Sequence, residues 1–560
     1  MGDVYSATIE RIMAQGGDKP ALGMGALMWI SHAERQLQTD ELCHALAIEL
    51  NSRDFNAGNI PSIKTLLGCC QGLISVDKEE STVRLIHFTL KEYLSAHPDI
   101  FRTPHSTMAE VCLTYLNSQQ VKDISTKQVK GFPSRSSKNI CDKPFLGYSS
   151  VCWGAHAKRE LSDYARSLAL ELFRDYDGHI SGKLLLGERW SVDGTDFDRG
   201  SPFNGLHCAS YLGIVEVVTA LIEMGCCDVD KGGYLGFTPL AWAAYSGHEG
   251  VVKILLEQRE VNPDKPAWVG RTPLVIAAHV GHHEVVRILL ERDEVNPCKL
   301  INSGGAGLID AAAGGHEEVV KILLEHEVNP DDPGPRGITA LSYAARAGYG
   351  KLVKILLGQQ GVNPDRPDNE GRTPLSHAVE SGDEGVVKML LSREEVNPDK
   401  PDNSGGTPLS WAAWLGWEGV VKILLEREEV DPNKSDKEGR TPLLLVAREG
   451  NAEMAEILLR LDEVNPDKAD YDGRTPLSFA ASGGHVEVVK MLLGRGEVDP
   501  DKPDIDSRTP LSYAAERGHE SVAIILLGWD GVNPDQPNIN GKTPRMFAAI
   551  WPHMTWMELL

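Results

Sequence analysis

Cysteine is missing from nearly half of this chain. Of ten Cys residues the last is Cys298, and no two are spaced C-x-x-C. A disulfide scaffold would not be laid out this way, so a reducing compartment and a cytoplasmic location are expected. Long apolar runs are missing too. Ala21 to Ile30 is broken by glycines and is too short to cross a bilayer. The opening MGDVYSATIERIMAQ lacks the basic-then-apolar layout of a secretory signal. Aromatic residues make up only 6% of the chain, and positive charge is scarce: 56 Lys and Arg face 80 Asp and Glu, a formal net charge of -24. Most of that deficit lies in residues 201–560. Such a chain repels phosphate backbones and anionic lipid headgroups, so neither nucleic acid nor membrane is expected as a partner. At 560 residues it is too long for one ordinary core.

The motifs of catalysis are missing as well. There is no G-x-x-x-x-G-K-[ST] phosphate loop; the Gly541-Lys542-Thr543 triplet has Gln536 where the first glycine would stand. There is no G-x-S-x-G nucleophile elbow. His-Glu pairs recur at His248-Glu249, His283-Glu284, His316-Glu317 and His519-Glu520. Stacked helical repeats hold equivalent points about 8–10 Å apart, whereas zinc ligands sit about 2 Å from the ion. One pair per repeat therefore cannot converge on a metal, and each His is read as part of a turn. No catalytic residue, cofactor, metal ion or small-molecule substrate is expected.

What the sequence has instead is a period. Thr-Pro-Leu starts at Thr238, Thr272, Thr373, Thr407, Thr441, Thr475 and Thr509, with variants at Asn204, Ala306, Thr339 and Thr543. The spacing is 34 residues, or 33 between Ala306 and Thr339, which makes ten full repeats and a truncated eleventh. In TPLSHAVESGDEGVVKMLL (Thr373 to Leu391), Pro374 suits a first helical turn and Gly382 a left-handed helix end. Val386, Val387, Met389, Leu390 and Leu391 form the apolar stripe of a second helix. This unit resembles the ankyrin repeat over residues 201–560. It departs in one place: Arg393-Glu394-Glu395 replaces the usual Gly-Ala-Asp. Ala306 to Leu324 is the most degenerate interior copy and is read as a soft joint.

Residues 21–101 read as three helices (Ala26–Ile30, Glu41–Leu50, Ile63–Cys70), a hairpin (Leu73–Val76, Val83–Phe88) and a last helix, Leu90–Leu94. That is a winged-helix arrangement. The stretch GLISVDKEESTVRLIHFTLKEYL is similar to the winged-helix segment that follows the ATPase module in fungal NACHT–ankyrin (NLR-like) proteins. VYSATIERI looks like the closing helix of that module, making residues 1–20 its remnant. FLGYSSVCWGAHAK resembles their connector, here residues 102–200 with helices Met108–Leu116 and Val151–Arg174 around a basic loop at 125–140. DNA binding by the winged-helix segment is discounted, because acidic residues outnumber basic ones there and the turn Asp77-Lys78-Glu79-Glu80-Ser81 is acidic. The expected fold is mainly α: an ankyrin-repeat solenoid after a winged-helix-like and helical N-terminal region.

The expected function is non-catalytic protein binding, as a scaffold or sensor arm, on the concave face that stacked repeats create. The alternative is the regulatory C-terminal fragment of a NACHT NTPase whose catalytic module is missing from this chain. In ankyrin proteins the residues just before the turn glycine face the partner. Carried over by position, this nominates Tyr211, Leu212, Tyr245, His279 and Val280 as one cluster and Trp414 and Leu415 as another, with Arg346 and Arg448 in the same column. Trp411 falls at a core position. Acidic connections such as Asn397–Gly405 favour a basic partner.

Overall fold

The computed structural model describes residues 2–50, 52, 55–126, 143–187, 203–298 and 307–549. The protein is mainly helical and divides into two compact units, Met1–Asn296 and Pro297–Leu560.

The first unit opens with helices α1 (Gly2–Met13) and α2 (Lys19–His32). A short strand β1 (Leu37–Gln38), α3 (Thr39–Leu46) and α4 (Ile63–Cys69) follow, then strands β2 (Ile74–Val76) and β3 (Thr82–Leu85) and helix α5 (Phe88–Ala96). The strands form one antiparallel sheet in the order β1-β3-β2. This is a winged helix. Gly23 on α2 approaches α4 so closely that a Cβ would lie 2.9 Å from the Cys69 carbonyl oxygen. Helix α3 stops at Leu46, four residues short of expectation, because tighter bonds from the Ala47 and Ile48 N–H groups to His44 and Ala45 close its last turn. β3 ends at Leu85, since His87 Nδ1 accepts the Thr89 N–H and starts α5.

The rest of the N-terminal half is helical: α6 (Pro104–Asn117), α7 (Gln119–Thr126), α8 (Phe145–Arg159), α9 (Asp163–Arg174) and α10 (Ile180–Gly187). The single helix expected over Val151–Arg174 is thus two. Glu160 is extended (φ -160°), its carboxylate accepts the Ser106 N–H, and Ser162 Oγ accepts the Ala165 N–H to begin α9. Most of the basic loop expected at 125–140 lies outside the described residues. Trp29 of α2 meets Phe145 and Tyr148 of α8 edge-on, at 5.5 and 5.7 Å between ring centres, so winged helix and connector share a core.

Helix pairs fill the remainder. The first unit holds Gly205–Leu212 with Val215–Glu223, Pro239–Ser246 with Glu249–Leu256, and Pro273–Val280 with His283–Leu290. The second runs from Gly307–Gly314 with Glu317–Glu325 to Pro510–Arg517 with Glu520–Leu527, and then the lone helix Pro544–Ala548. The unit boundary, Asn296 to Pro297, falls just ahead of the degenerate copy, whose Ala306 lies outside the described residues. The sequence period has a direct local cause. In each T-P-L copy the Thr hydroxyl accepts the N–H three residues on, as Thr407 does from Ser410 at 3.1 Å, while Pro supplies a fixed φ where no N–H is needed.

The turn histidines tie repeat to repeat. His248, His282, His485 and His519 each donate Nε2–H to a carbonyl 37 residues earlier, at 2.9 to 3.1 Å. At the third helix pair the ring is His282, one residue ahead of the His283-Glu284 dipeptide read from the sequence. The Arg-Glu-Glu departure has a similar use: Arg393 and Arg495 donate to the carbonyls of Leu357 and Leu459, which end the preceding second helices.

Candidate partner-binding surface

Five repeat connections in the second unit each turn on one aspartate, while Gly334 and Asn538 take its place in the first and the last of those described. Asp368 Oδ1 accepts the N–H groups of Glu370 and Arg372, and Oδ2 accepts Arg372 Nε at 3.1 Å. Asp436–Arg440, Asp470–Arg474 and Asp504–Arg508 repeat the arrangement, with Nε to Oδ2 at 2.8, 2.9 and 3.0 Å. Burial works against the Asp368 charge, but the Arg372 N–H and guanidinium outweigh it and hold the carboxyl below its ordinary range. Except at Asp436, where Leu445 stands there, the side chain nine residues on completes the cluster. His377 Nε2 lies 3.1 Å from Asp368, Tyr513 donates its hydroxyl to Asp504 at 2.6 Å, and Arg474 and Arg508 lie 4.8 Å over the rings of Phe479 and Tyr513.

One repeat breaks the rule. Gly406 stands where the arginine should be. The Trp411 indole N–H donates to Asp402 Oδ2 at 2.9 Å, and a Cβ on Gly406 would lie 2.6 Å from that nitrogen. The other Asp402 oxygen accepts from Ser404 N–H, Ser404 Oγ and Gly406 N–H, so all four donors are neutral. Beside Gly406 a cavity of about 160 Å³ opens between Ser410, Trp411 and Trp414 on one repeat and Asp436, Arg440, Leu445 and Arg448 on the next. The Trp411 and Trp414 rings meet edge-on at 5.5 Å. Trp414 is 42% exposed and donates Nε1–H to Glu449; Leu415 is exposed beside it. Arg440 is committed to Asp436 and Glu438, both at 2.7 Å, and Arg448 lies 3.7 Å from Glu449. Trp417 does not join this cavity; its ring covers Gly382 in the position the turn histidines take elsewhere.

The other nominated residues fare differently. Arg346 is exposed and pairs with Glu380 of the next repeat at 3.3 Å. His279 is exposed, and Tyr245 and Val280 are half-buried. Tyr211 and Leu212 are a correction. They are only 6% and 8% exposed: Tyr211 packs edge-on against Trp242, and helix α8 lies on Leu212. A Cβ on Gly154 would sit 2.9 Å from Leu212 Cδ2, and Val151, Gly154 and Lys158 wall a groove of about 420 Å³ with Tyr211, Leu212, Tyr245 and Val280. The free face assumed for the first repeat is taken by the chain itself. Sequence reasoning passed over Gly406 and Asp402. The signal was available as a single glycine in the column Arg372, Arg440, Arg474, Arg508.

The general class is a repeat protein built of stacked helix pairs. Models described as "Ankyrin repeats (3 copies)" match residues 178–267, 260–334, 296–368, 341–436 and 409–504, and one described as "Ankyrin repeat" matches 506–539. The chain belongs to the ankyrin-repeat family. A model described as "GPI inositol-deacylase, winged helix domain" matches residues 10–101. No curated protein matches the chain. Among the described residues no helix is long and apolar enough to cross a membrane.

Proposed function

We propose that this chain is a non-catalytic scaffold or sensor arm that captures a protein partner on the concave inner-helix face of its repeats, around Trp414. The observation that carries the reading is the Gly406 cavity. The other aspartate connections fill the equivalent place with their own guanidinium, paired with a buried aspartate and, at Arg474 and Arg508, stacked on a ring. Here the ring (Trp411) and the carboxylate (Asp402) are present and the cation is not. A lysine or arginine side chain from the partner supplies it, entering the cavity against Trp411 and Trp414. Indole is the best ring for a cation, and Trp is a favoured interface anchor. Leu415 is exposed beside Trp414 and Arg448 lines the cavity; Arg346 elsewhere in this unit, and Tyr245, His279 and Val280 in the first unit, are further candidate contacts.

The order of winged helix, helical connector and ankyrin repeats supports a relationship to the C-terminal part of NACHT–ankyrin receptor-like proteins. On that reading residues 21–101 are the winged-helix-like domain, 102–200 the connector and 201–560 the repeats. Titration of the full chain with an arginine-rich and a glutamate-rich peptide, read by tryptophan fluorescence, tests the proposal. Binding of the arginine-rich peptide that weakens with salt and is lost in Trp414→Ala supports it. Equal response to both peptides contradicts it.

A further inference from the structure

Three side chains far apart in sequence meet where the winged helix joins the connector. Glu34 follows α2, His105 lies in the first turn of α6, and His156 lies in the last turn of α8. His156 is fully buried. Its Nδ1 is 2.9 Å from His105 Nδ1 and 3.8 Å from Glu34 Oε1, and one ligand atom from each of the three residues lies within 4.8 Å of the others. We propose that Glu34, His105 and His156 form a binding site for a divalent transition-metal ion, zinc by its donor set.

Four features support the assignment. The donors are two imidazole nitrogens and a carboxylate oxygen, a set that suits zinc. Bonds of about 2.0–2.2 Å place neighbouring ligand atoms about 3 to 3.5 Å apart, and the observed separations need only small adjustments. Two ring nitrogens facing each other across 2.9 Å can share one proton; without it their lone pairs oppose each other, and a cation between them resolves this. Finally, His156 is oriented from behind. Its Nε2 bonds the Tyr148 hydroxyl at 2.9 Å, and the same hydroxyl accepts the Glu34 N–H at 3.2 Å, so one outer group aligns two of the three ligands. The His32 ring rests edge-on against His105 at 5.5 Å and fixes its plane. Glu34 is exposed, which leaves an entry path and room for water as a further ligand. Arg159 is the competitor: its guanidinium holds Glu34 Oε1 at 2.6 Å and Oε2 at 3.2 Å. Metal loading requires it to release Oε1 and keep Oε2. The bound ion would tie α2, α6 and α8 together and clamp the winged helix to the connector.

The test is equilibrium dialysis of the chelator-stripped full chain against Zn²⁺, with Co²⁺ absorbance as a second readout. The expected result is one Zn²⁺ per chain, a visible ligand-field band with Co²⁺, and affinity lower by about tenfold or more in both His105→Ala and Glu34→Gln. Arg159→Gln is expected to bind more tightly than the parent. Glu34→Gln changes an exposed group, so it serves even where His105→Ala folds poorly. A parent chain that takes up no Zn²⁺, or variants that keep the parent's affinity, would overturn the proposal; the second result assigns the ion to other residues.

Discussion

The Trp411 indole N–H donates to Asp402 Oδ2 at 2.9 Å, in the place where Arg372, Arg440, Arg474 and Arg508 present a guanidinium to their own aspartates. One neutral donor replaces one cation. The replacement requires a residue without a side chain at 406, and a cavity lies beside it.

The double substitution Gly406→Arg with Trp411→Tyr copies the Asp504, Arg508 and Tyr513 arrangement into this repeat. It is expected to fold with unchanged or raised stability, since the copied cluster pairs a hydroxyl at 2.6 Å and a guanidinium at 3.0 Å with the aspartate. It is expected to lose arginine-peptide binding, because its own arginine occupies the cavity. Calorimetric melting and peptide titration on one sample check both halves.

Asp470→Ala removes the acceptor of the Asp472 and Arg474 N–H groups and the partner of the Arg474 side chain. Stranding these part-buried donors is expected to lower stability by about 2–4 kcal/mol. Urea unfolding measures it. A loss below about 0.5 kcal/mol, the size of an ordinary surface change, would mean that water satisfies these groups and that the aspartate column is not structural.

A second column joins neighbouring repeats. Lys400, Lys434 and Lys502 each reach the aspartate 35 residues earlier at 2.8 Å. At the last connection Gln536 stands in the lysine's place, and burial pushes the Asp501 carboxyl up to about 6 from 3.8, with the Asp499 charge adding to it. An acid with a raised folded-state pKa favours folding only while protonated. Its penalty is absent below 3.8, grows between 3.8 and about 6, and is complete above. Gln536→Lys is therefore expected to stabilise by about 1 kcal/mol at pH 7.5, after discounting for solvent screening at this half-buried site, and by nothing at pH 3.5. Urea midpoints at the two pH values decide it; an equal gain at both would locate the effect outside Asp501.

Which features could be read in advance depended on the distance over which they are encoded. Thr407, Pro408 and Gly416 act within one turn of their own positions, and the repeats follow from them. The connections were read only as acidic, because nothing local shows that Asp399 and Asp365 are answered by Lys434 and Lys400 from the next repeat. The break at Glu160 was hidden inside a stretch with apolar residues on both sides. Tyr211 and Leu212 were misplaced because a column position says which way a residue points, not that Trp242 or helix α8 will cover it. Glu34, His105 and His156 share no motif, and only the packing of α2, α6 and α8 brings them together.

The most direct test of the central claim is the Trp414→Ala exchange, with peptide affinity and thermal unfolding measured side by side. Trp414 is 42% exposed, so truncation is expected to change stability by less than about 1 kcal/mol while weakening arginine-peptide binding by about 2 kcal/mol or more, roughly thirtyfold. Undiminished affinity in the variant, or a loss of stability as large as the loss of binding, would contradict the account and return Trp414 to the role of a packing residue.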